Sequence, residues 1–344
     1  MTTMKAAVWT ATDQVEVTEL PMPEVPPGWA LVKVAYNGIC GTDLAILHGK
    51  HPRACAPLVM GHEISGWVAQ AGATGPTAGT LVVVEPLITC GQCRSCKNGL
   101  AHVCRNLGLY GIDSPGGMAQ YVALPPEVLH AVPDGVDPRT ATLAEPLAVA
   151  VHAVERSGLE PGSTVAVYGA GPIGILTALV ARHAGAATVV ITEPSPWRRA
   201  VAARLGFTVV PACSTMAQTL DPLTDGEGAD LTFDSAAHPG VAAELTAVTR
   251  VRGRIVVVGV YKQPAAVDLQ AVCFKEQTVI GIRVYTSQNV ATAIKLIASG
   301  ALGLDRFPTK SFDLTDVVAA FDAAASGQDY LKVLLTPLSG KADA

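Results

Sequence analysis

Apolar residues form alternating short and long runs through the centre of this sequence. Thr164–Tyr168 is a short run rich in valine, which is typical of a buried parallel strand. The longer stretch Pro172–His183 predicts a helix that ends before Gly185. Residues 189–192 predict a second strand, which ends at Glu193. The pattern therefore predicts a strand, a glycine turn, a helix and a strand in succession.

The alternation of strands and helices continues toward the C-terminus, as expected for an α/β fold. A helix is predicted after Ser195 and Pro196, with Gly206 at its end, and another before Arg250. Further strands are predicted at 229–234, 254–260, 278–283 and 331–336, and amphipathic helices at 289–299 and 314–326.

The N-terminal part has a different pattern. Short, β-rich runs occur at 5–9, 15–19, 30–35 and 64–69, with turn residues between them. Residues 21–28, PMPEVPPG, form a loop, because an alternating strand resumes directly after them. This spacing predicts an antiparallel sheet.

Three glycines follow the first central strand as G-x-G-x-x-G. They are Gly169, Gly171 and Gly174, and Pro172 occupies the first turn of the helix, where its missing N–H is tolerated. The glycines allow a tight turn and a close approach to a pyrophosphate, which the helix N-terminus stabilises. In this context the motif predicts a dinucleotide site, whereas a plain glycine-rich turn is the alternative.

Glu193 bears on the choice of cofactor. It lies 19 residues after Gly174, where a carboxylate accepts hydrogen bonds from the adenosine ribose and repels a 2′-phosphate. NAD is therefore favoured over NADP. Arg198 and Arg199 weaken this inference, since arginines after the second strand are typical of an NADP site.

Composition excludes several classes of protein. A chain of 344 residues, 49% hydrophobic and 15% charged, is long enough for two globular domains. A net charge of −5 argues against nucleic acid and anionic membranes as partners. No signal peptide is expected, and the longest apolar run, 165–181, contains the glycine turn and is not a membrane span. These features predict a cytoplasmic protein.

Four of the eight cysteines are clustered in CGQCRSCKNGLAHVC. Cys90, Cys93, Cys96 and Cys104 can surround one tetrahedral Zn²⁺ with no position left open, which makes the site structural. Iron–sulfur proteins use other spacings, and a disulfide scaffold would need a short secreted chain.

A second ligand set is more dispersed. Cys40, His62 and Glu63 have side chains that suit a catalytic Zn²⁺, which needs three protein ligands and one open position. The alternative is that Cys40 is a small buried apolar residue and His62 a histidine of the core.

Several motifs in order identify a family resemblance. GICGTD, GHE, the four cysteines, AEPLAVAVHAV and VYGAGPIG together resemble the zinc-dependent medium-chain dehydrogenases. The chain looks most like the polyol and threonine branch, which includes sorbitol, butanediol and L-threonine dehydrogenases, and it also resembles dehydrogenases of aminocyclitol biosynthesis. The resemblance implies a doubly wound Rossmann domain and a GroES-like catalytic domain, mainly an antiparallel β-barrel. The expected limits are 1–150 for the catalytic domain with both zinc sites, 151–284 for the NAD-binding domain and 285–344 for a return to the catalytic domain.

The resemblance also implies roles at the catalytic zinc. Cys40 and His62 are implied as ligands, with either Glu63 or Glu145 as the third. Thr42 matches the residue whose hydroxyl accepts the substrate proton. Many relatives complete the relay to solvent with a histidine where this chain has Ala45. Water or another group such as His48 would then replace it, although His48 is more simply an exposed loop residue.

The remaining implied positions concern the cofactor. The residues that match family positions along the dinucleotide, for which sheet core is the alternative, are Ile173, Glu193, Arg198, Val258, Gly259, Val260, Ile282 and Arg283. We expect the leftover cysteines Cys55, Cys213 and Cys273 to be buried apolar side chains and His152 to be a packing residue.

The expected function is hydride transfer from a secondary alcohol of a polyol, vicinal diol or cyclitol to NAD, with one catalytic and one structural Zn²⁺ per chain. An L-threonine 3-dehydrogenase-like or simple alcohol dehydrogenase remains open, and a non-enzymatic zinc module is a remote alternative. The resemblance implies a small-molecule substrate and a homo-oligomer, either a dimer or a tetramer.

Overall fold

The computed structural model describes residues 2–211 and 216–338, which divide into two compact units. The first unit comprises the described residues of Met1–Glu145 and Thr286–Ala344, and the second comprises those of Pro146–Tyr285. The sequence placed these boundaries at 150 and 284. The first unit is therefore built from two separate stretches of chain.

The first unit is mainly strand with short helices. Its strands are β1 (Thr3–Ala11), β2 (Gln14–Pro21), β3 (Ala30–Ile39), β4 (Leu58–Val59), β5 (Glu63–Gln70), β6 (Leu81–Val84), β7 (Leu87–Ile88), β8 (Gly108–Leu109), β9 (Tyr121–Leu124), β10 (Leu129–Ala131), β17 (Thr309–Asp313) and β18 (Lys332–Thr336). Its helices are α1 (Gly41–Leu47), α2 (Arg94–Lys97), α3 (Pro138–Ala141), α11 (Ser287–Ala298) and α12 (Val317–Ser326).

A mostly antiparallel sheet organises this unit. Among the described residues its order is β10-β6-β5-β3-β18-β17, with β9 also paired to β3. The last two strands come from the second stretch of chain, and β18 pairs antiparallel with β3. Strands β2, β1 and β4 form a smaller sheet, which shares an apolar core with α12 and β18. The central strand β3 thus joins both stretches of chain in one sheet.

The second unit alternates helices with parallel strands. Its strands are β11 (Thr164–Tyr168), β12 (Thr188–Thr192), β13 (Thr208–Val210), β14 (Ala229–Asp234), β15 (Thr249–Val257) and β16 (Thr278–Gly281). Its helices are α4 (Ala144–Ser157), whose first two residues belong to the first unit, α5 (Pro172–His183), α6 (Pro196–Arg204), α7 (Met216–Leu220), α8 (Pro239–Ala242), α9 (Leu245–Val248) and α10 (Leu269–Phe274).

The six strands that the structure describes in this unit run parallel in the order β13-β12-β11-β14-β15-β16. This is a doubly wound order, in which the chain reverses its direction of travel across the sheet between β11 and β14. Dinucleotides bind at such switch points, beyond the carboxyl ends of the strands. The glycine turn after β11 lies at this position.

The glycine turn depends on two different properties of glycine. Gly169 has φ +94°, a left-handed conformation that other residues rarely adopt. Gly174 has no such φ, but a Cβ there would overlap the carbonyl oxygen of Gly169. The first glycine permits the turn, and the third permits α5 to approach β11.

Most predicted elements of the second unit are confirmed, including β11, α5 and β14, and the helix predicted before Arg250 is present as two short helices. The chain forms the short helices α8 and α9 and then enters β15 at Thr249. Thr249 pairs with Ala229 of β14, and its Oγ1 lies 2.7 Å from Thr232 Oγ1. These sheet contacts end the helical segment at Val248, two residues before its predicted end.

Two expectations about cysteine burial are also wrong. Cys55 lies in an exposed loop, and Cys273 lies on the exposed helix α10. The frequent burial of cysteine as a residue type does not determine which face of a helix or loop a given cysteine occupies. Cys213 lies outside the described residues.

Within residues 2–211 and 216–338, no helix has the length and apolar character needed to cross a bilayer.

The overlap at Gly174 gives a test of the fold. We expect Gly174→Ala to lower the free energy of unfolding by about 2 kcal/mol, because the added methyl forces α5 away from the turn. The thermal midpoint should fall by about 4–8 °C in calorimetry. Gly281→Ala is the control, since a Cβ there has no neighbour within 4 Å. Equal midpoints for the two variants would contradict the packing role of Gly174.

Candidate functional site

Cys40 lies between strand β3 and helix α1 of the first unit. β3 ends at Ile39 and α1 begins at Gly41, so Cys40 is the helix N-cap residue. Its backbone N–H donates to Asp43 Oδ2 at 2.8 Å. Asp43 is fully buried in the first turn of the helix, where a carboxylate is favoured by the helix dipole. The turn therefore fixes the position of Cys40.

His62 is held between Cys40 and Asp43. It directly precedes β5, its side chain is 5% exposed, and its Nδ1 lies 3.7 Å from Asp43 Oδ1. Burial opposes protonation of the imidazole, but the Asp43 carboxylate and Cys40 outweigh burial and raise the pKa of His62 well above its usual range. With Nδ1 toward Asp43, Nε2 is the nitrogen available to a metal.

Glu63 is the first residue of β5 and is almost completely buried. Lys332 Nζ lies 2.7 Å from its Oε1. Burial would lower the pKa of Lys332, but Glu63 and Cys40 raise it, so the lysine is a cation. Glu63 Oε2 is buried without a hydrogen-bond partner in the described part of the chain. An unpartnered carboxylate oxygen in the interior is costly, and a bound cation would offset that cost.

The ligand atoms of Cys40, His62 and Glu63 lie within 4.8 Å of one another. Sulfur, imidazole nitrogen and carboxylate oxygen together suit Zn²⁺. The buried Glu63 Oε2 is the atom that such an ion would satisfy, so these residues fit the metal that the sequence predicted. Glu145, on the first turn of α4, is not part of this group of three, although it also raises the pKa of Lys332.

The structure separates the two residues proposed for the proton relay. Thr42 Oγ1 lies 3.8 Å from Cys40 Sγ and is thus beside the ligand group. His48 follows the C-terminal end of α1, and its Nδ1 lies 2.6 Å from Asp13 in the β1–β2 turn. A helix of seven residues is about 10 Å long, so His48 is remote from Thr42.

A second loop histidine, His51, follows α1 and is near enough to the ligand group for the charges of Asp43 and His62 to act on its pKa. Burial and the Arg53 guanidinium lower the pKa of His51, and the charges of Asp43 and His62 also act on it. Its Nδ1 accepts the backbone N–H of Ala54 at 3.2 Å, which leaves Nε2 as the protonated nitrogen. The lowered pKa favours the neutral ring, in which the Nε2–H group is a hydrogen-bond donor.

The four clustered cysteines converge on one point. Cys90 and Cys104 have sulfurs 3.4 Å apart, Cys93 and Cys96 3.5 Å, and Cys93 and Cys104 3.9 Å. Sulfurs each about 2.3 Å from one tetrahedral ion lie about 3.8 Å apart. The distances between the sulfurs, like the spacing of the cysteines along the sequence, fit a closed Zn²⁺ site.

The four cysteines of this lobe differ in how strongly their surroundings favour the thiolate form. Backbone N–H groups of Arg105 and Cys96 lower the pKa of Cys93 to about 6, whereas desolvation raises the pKa of Cys96 to about 12. Backbone N–H groups also lower the pKa of Cys90. Four adjacent thiols cannot all ionise without a cation, so metal binding must release protons here.

The carboxylate of Glu193 connects the glycine turn to the following helix. Its Oε2 accepts the N–H of Ala170 at 2.8 Å, and its Oε1 accepts the N–H of Ser195 at 2.9 Å. Arg199 donates instead to the carbonyl oxygens of Glu193 and Pro194. A Cβ on Gly171 would lie 3.9 Å from Arg198 Nη1, so the Arg198 guanidinium lies beside the turn.

The other predicted cofactor positions lie at or just beyond strand ends. Ile173 is in the first turn of α5, Val258 follows the end of β15 and is buried, and Val260 is highly exposed. Ile282 and Arg283 follow the end of β16. The residue that organises this edge was missed by sequence reasoning: Asp234, at the end of β14, accepts hydrogen bonds from Ala236, Ala237 and Tyr261.

Two further residues at the metal-ligand group were missed. Asp43 ends the GICGTD motif, which by itself does not indicate a role for this carboxylate. Lys332 had a signal in the sequence, since it is a single lysine in the apolar run LKVLL, where a strand was predicted. Its partner Glu63 is 269 residues away, so the sequence did not identify the pair.

Family models match both units. The alcohol dehydrogenase GroES-like domain matches residues 26–134, and the zinc-binding dehydrogenase family matches residues 172–299.

Individual relatives match over nearly the whole chain. A 2-dehydro-3-deoxy-L-galactonate 5-dehydrogenase of Pseudoalteromonas atlantica is 39% identical over 90% of this chain and 91% of its own length. An L-threonine 3-dehydrogenase of Bacillus subtilis is 35% identical over 93% of this chain and 94% of its own.

Solved structures agree with the fold. A zinc-binding dehydrogenase of Sinorhizobium meliloti bound to NADP has a TM-score of 0.90 and 31% identity, covering 98% of this chain and 100% of that one. A 2R,3R-butanediol dehydrogenase of Bacillus subtilis has a TM-score of 0.90 and 30% identity, covering 97% and 100%. The predicted fold class, a doubly wound domain with a GroES-like domain, is confirmed.

These matches, which cover both units, also confirm the resemblance drawn from the sequence. The chain belongs to the zinc-dependent medium-chain dehydrogenases, in the polyol and threonine dehydrogenase-like branch, and is an alcohol or polyol dehydrogenase.

Proposed function

We propose that this enzyme transfers a hydride from a secondary alcohol of a polyol, vicinal diol or cyclitol to NAD, which gives a ketone. The observation that carries this proposal is the group of Cys40, His62 and Glu63, with Thr42 beside it. Three ligands of this kind leave one position open, as a catalytic zinc requires. The four cysteines form a closed set and would hold a second, structural zinc.

The chain's own residues account for binding and proton transfer. A zinc ion at Cys40, His62 and Glu63 would supply Lewis acidity that lowers the pKa of a substrate hydroxyl. Thr42 Oγ1, beside Cys40 Sγ, would accept the proton that the hydroxyl loses. Asp43 Oδ1 lies 3.7 Å from His62 Nδ1, and its negative charge favours a proton on Nδ1, so that Nε2 would remain the ligand atom. His51 would donate a hydrogen bond from Nε2 to a neighbouring substrate oxygen.

The proposed substrate class rests on the names of the related enzymes and on the residues near the ligand group. The related enzymes are named as dehydrogenases of a deoxygalactonate, of L-threonine and of butanediol. A donor such as His51 near the ligand group favours a substrate with a second oxygen next to the reacting hydroxyl. An L-threonine 3-dehydrogenase activity is the second candidate, because a relative of that name is 35% identical.

Removal of one ligand tests the metal-dependent reaction. We expect Cys40→Ser to lower kcat/KM for the best substrate about 1,000-fold, since several kcal/mol of Lewis-acid stabilisation are lost. Zinc content should fall from about two ions per chain to about one. Turnover is measured by nicotinamide reduction with polyols, diols, cyclitols, L-threonine and simple alcohols, and zinc by elemental analysis.

Cys55→Ser is the matched control, because Cys55 is exposed and belongs to neither ligand group. It should keep both zinc ions and full turnover. Unchanged activity in Cys40→Ser would rule out the proposed site, and turnover of L-threonine alone would favour the second candidate.

Glu193 supports the choice of NAD. Each carboxylate oxygen accepts one backbone N–H and retains a lone pair for a ribose hydroxyl. A 2′-phosphate beside this carboxylate would be repelled, although Arg198 by the turn would attract it.

The ratio of kcat/KM for NAD to that for NADP tests this balance. We expect a ratio of about tenfold or more, since repulsion of at least about 1.4 kcal/mol acts on the 2′-phosphate. Arg198→Ala should increase the ratio by weakening NADP use, whereas Glu193→Gln should reduce it. A ratio below one in the unaltered enzyme, reversed by Arg198→Ala, would assign NADP instead.

The second unit also has surface features that support a homo-oligomer. β16 is an edge strand, and within the described residues it pairs with β15 alone. Its Val279 is exposed, as are Leu269 and Phe274 on α10, the latter to 78%. An unpaired edge with exposed apolar residues favours pairing with another strand. We infer that a second copy covers this edge.

Light scattering after size exclusion tests the interface. We expect Val279→Lys to shift the enzyme toward smaller assemblies, because an edge lysine opposes strand pairing. Val318→Lys is the control, since Val318 is also exposed but lies on α12 in the first unit. A monomeric parent enzyme, or an unchanged assembly in Val279→Lys, would exclude this interface.

A further inference from the structure

A lysine side chain lies inside the first unit, beside the proposed metal ligands. Lys332 begins β18, and its side chain is 4% exposed. Its Nζ donates hydrogen bonds to Glu63 Oε1 at 2.7 Å and to the Ile39 carbonyl oxygen at 3.3 Å. Lysine is rarely buried unless its charge is paired. The ammonium therefore depends on Glu63 for its counter-charge.

The order of three strands explains how these side chains meet. β3 lies between β5, which carries Glu63, and β18, which carries Lys332. Gly38 of β3 is opposite Glu63 on one side and Leu334 on the other. Lys332 and Leu334 are two residues apart, so their side chains share a face of the sheet. A Cβ at Gly38 would overlap Glu63 Oε2, and the glycine therefore lets the carboxylate cross β3.

The two carboxylate oxygens of Glu63 have different surroundings. Oε1 accepts the hydrogen bond from Lys332, whereas Oε2 is buried and has no such partner in residues 2–211 and 216–338. A carboxylate can bind one metal ion through one oxygen or both. An oxygen already engaged by an ammonium is the poorer ligand. Glu63 thus offers a metal one favourable atom, Oε2.

We propose that Lys332 is a positioning residue that restricts Glu63 to a single metal–oxygen bond. This inference rests on the proposed function, because it requires a metal at Cys40, His62 and Glu63. A catalytic zinc keeps one position open for substrate. If Glu63 bound through both oxygens, its second oxygen would occupy that position. By holding Oε1, the ammonium keeps the position open.

Cobalt substitution provides a readout that is independent of turnover. Co²⁺ is loaded into the full-length parent enzyme, Lys332→Met, Lys332→Arg and Cys40→Ser, and the visible d–d absorption is recorded. The Cys40→Ser spectrum, which contains the four-cysteine site alone, is subtracted from the others. Four-coordinate Co²⁺ absorbs more strongly than five-coordinate Co²⁺, so the difference spectrum reports the coordination number.

We expect Lys332→Met to show weaker d–d absorption than the parent enzyme, because Glu63 then binds through both oxygens. With zinc, kcat should fall about 10–100-fold, the usual effect of losing a partner that orients a ligand. Lys332→Arg should restore the parent spectrum and most of kcat. Lys33→Met, an exposed lysine on β3, is the matched control and should change neither.

The outcomes separate this inference from the proposed function. If the parent enzyme shows no d–d absorption that depends on Cys40, the metal site itself is wrong. If that absorption is present but Lys332→Met has the parent spectrum and kcat, the positioning role is wrong. If Lys332→Met fails to fold, Lys332→Gln and Lys332→Arg carry the same test. Matching spectra for those two variants would overturn the proposal.

Discussion

The need to compensate buried charge determines the architecture around the ligand group. Asp43, His62, Glu63 and Lys332 are all buried, and each faces a group of opposite or complementary charge. Asp43 also fixes the backbone of Cys40, so the same carboxylate orients two ligands. The pairing is incomplete, because Glu63 Oε2 has no hydrogen-bond partner in the described parts of the chain. A divalent cation at the proposed site would complete it by supplying the missing positive charge.

The proposed metal site and the proposed cofactor site both depend on glycines, because a side chain at these positions would block the approach of a neighbouring group. Gly38 lets the Glu63 carboxylate pass across β3, and Gly174 lets α5 approach the Gly169 carbonyl. In each case the missing side chain matters more than backbone freedom, since neither residue has a positive φ. Gly169 is different, because its φ of +94° is what forms the turn. Glycines of similar appearance in the sequence thus serve different physical purposes.

Local patterns in the sequence predicted the parts of the molecule that local contacts determine. The glycine turn, the four-cysteine lobe and the alternation of strands and helices each depend on residues close in sequence. The pair of Glu63 and Lys332 could not be predicted in this way, because it depends on the strand order β5-β3-β18. The end of the helical segment before Arg250 has a related cause, since pairing of Thr249 with Ala229 extends β15 as far as Thr249. The exposure of Cys55 and Cys273 likewise follows from tertiary position and not from residue type.

The separation of Glu63 and Lys332 by 269 residues has a consequence for synthesis on the ribosome. At about 5–20 residues per second, Lys332 is added about 10–50 s after Glu63. During that interval β3 lacks β18, and the Glu63 carboxylate lacks its ammonium partner. The second unit, encoded between the two stretches of the first, is complete before β17 and β18 are made. The sheet of the first unit therefore keeps one edge unpaired until β17 and β18, the last strands of the chain, have been synthesised.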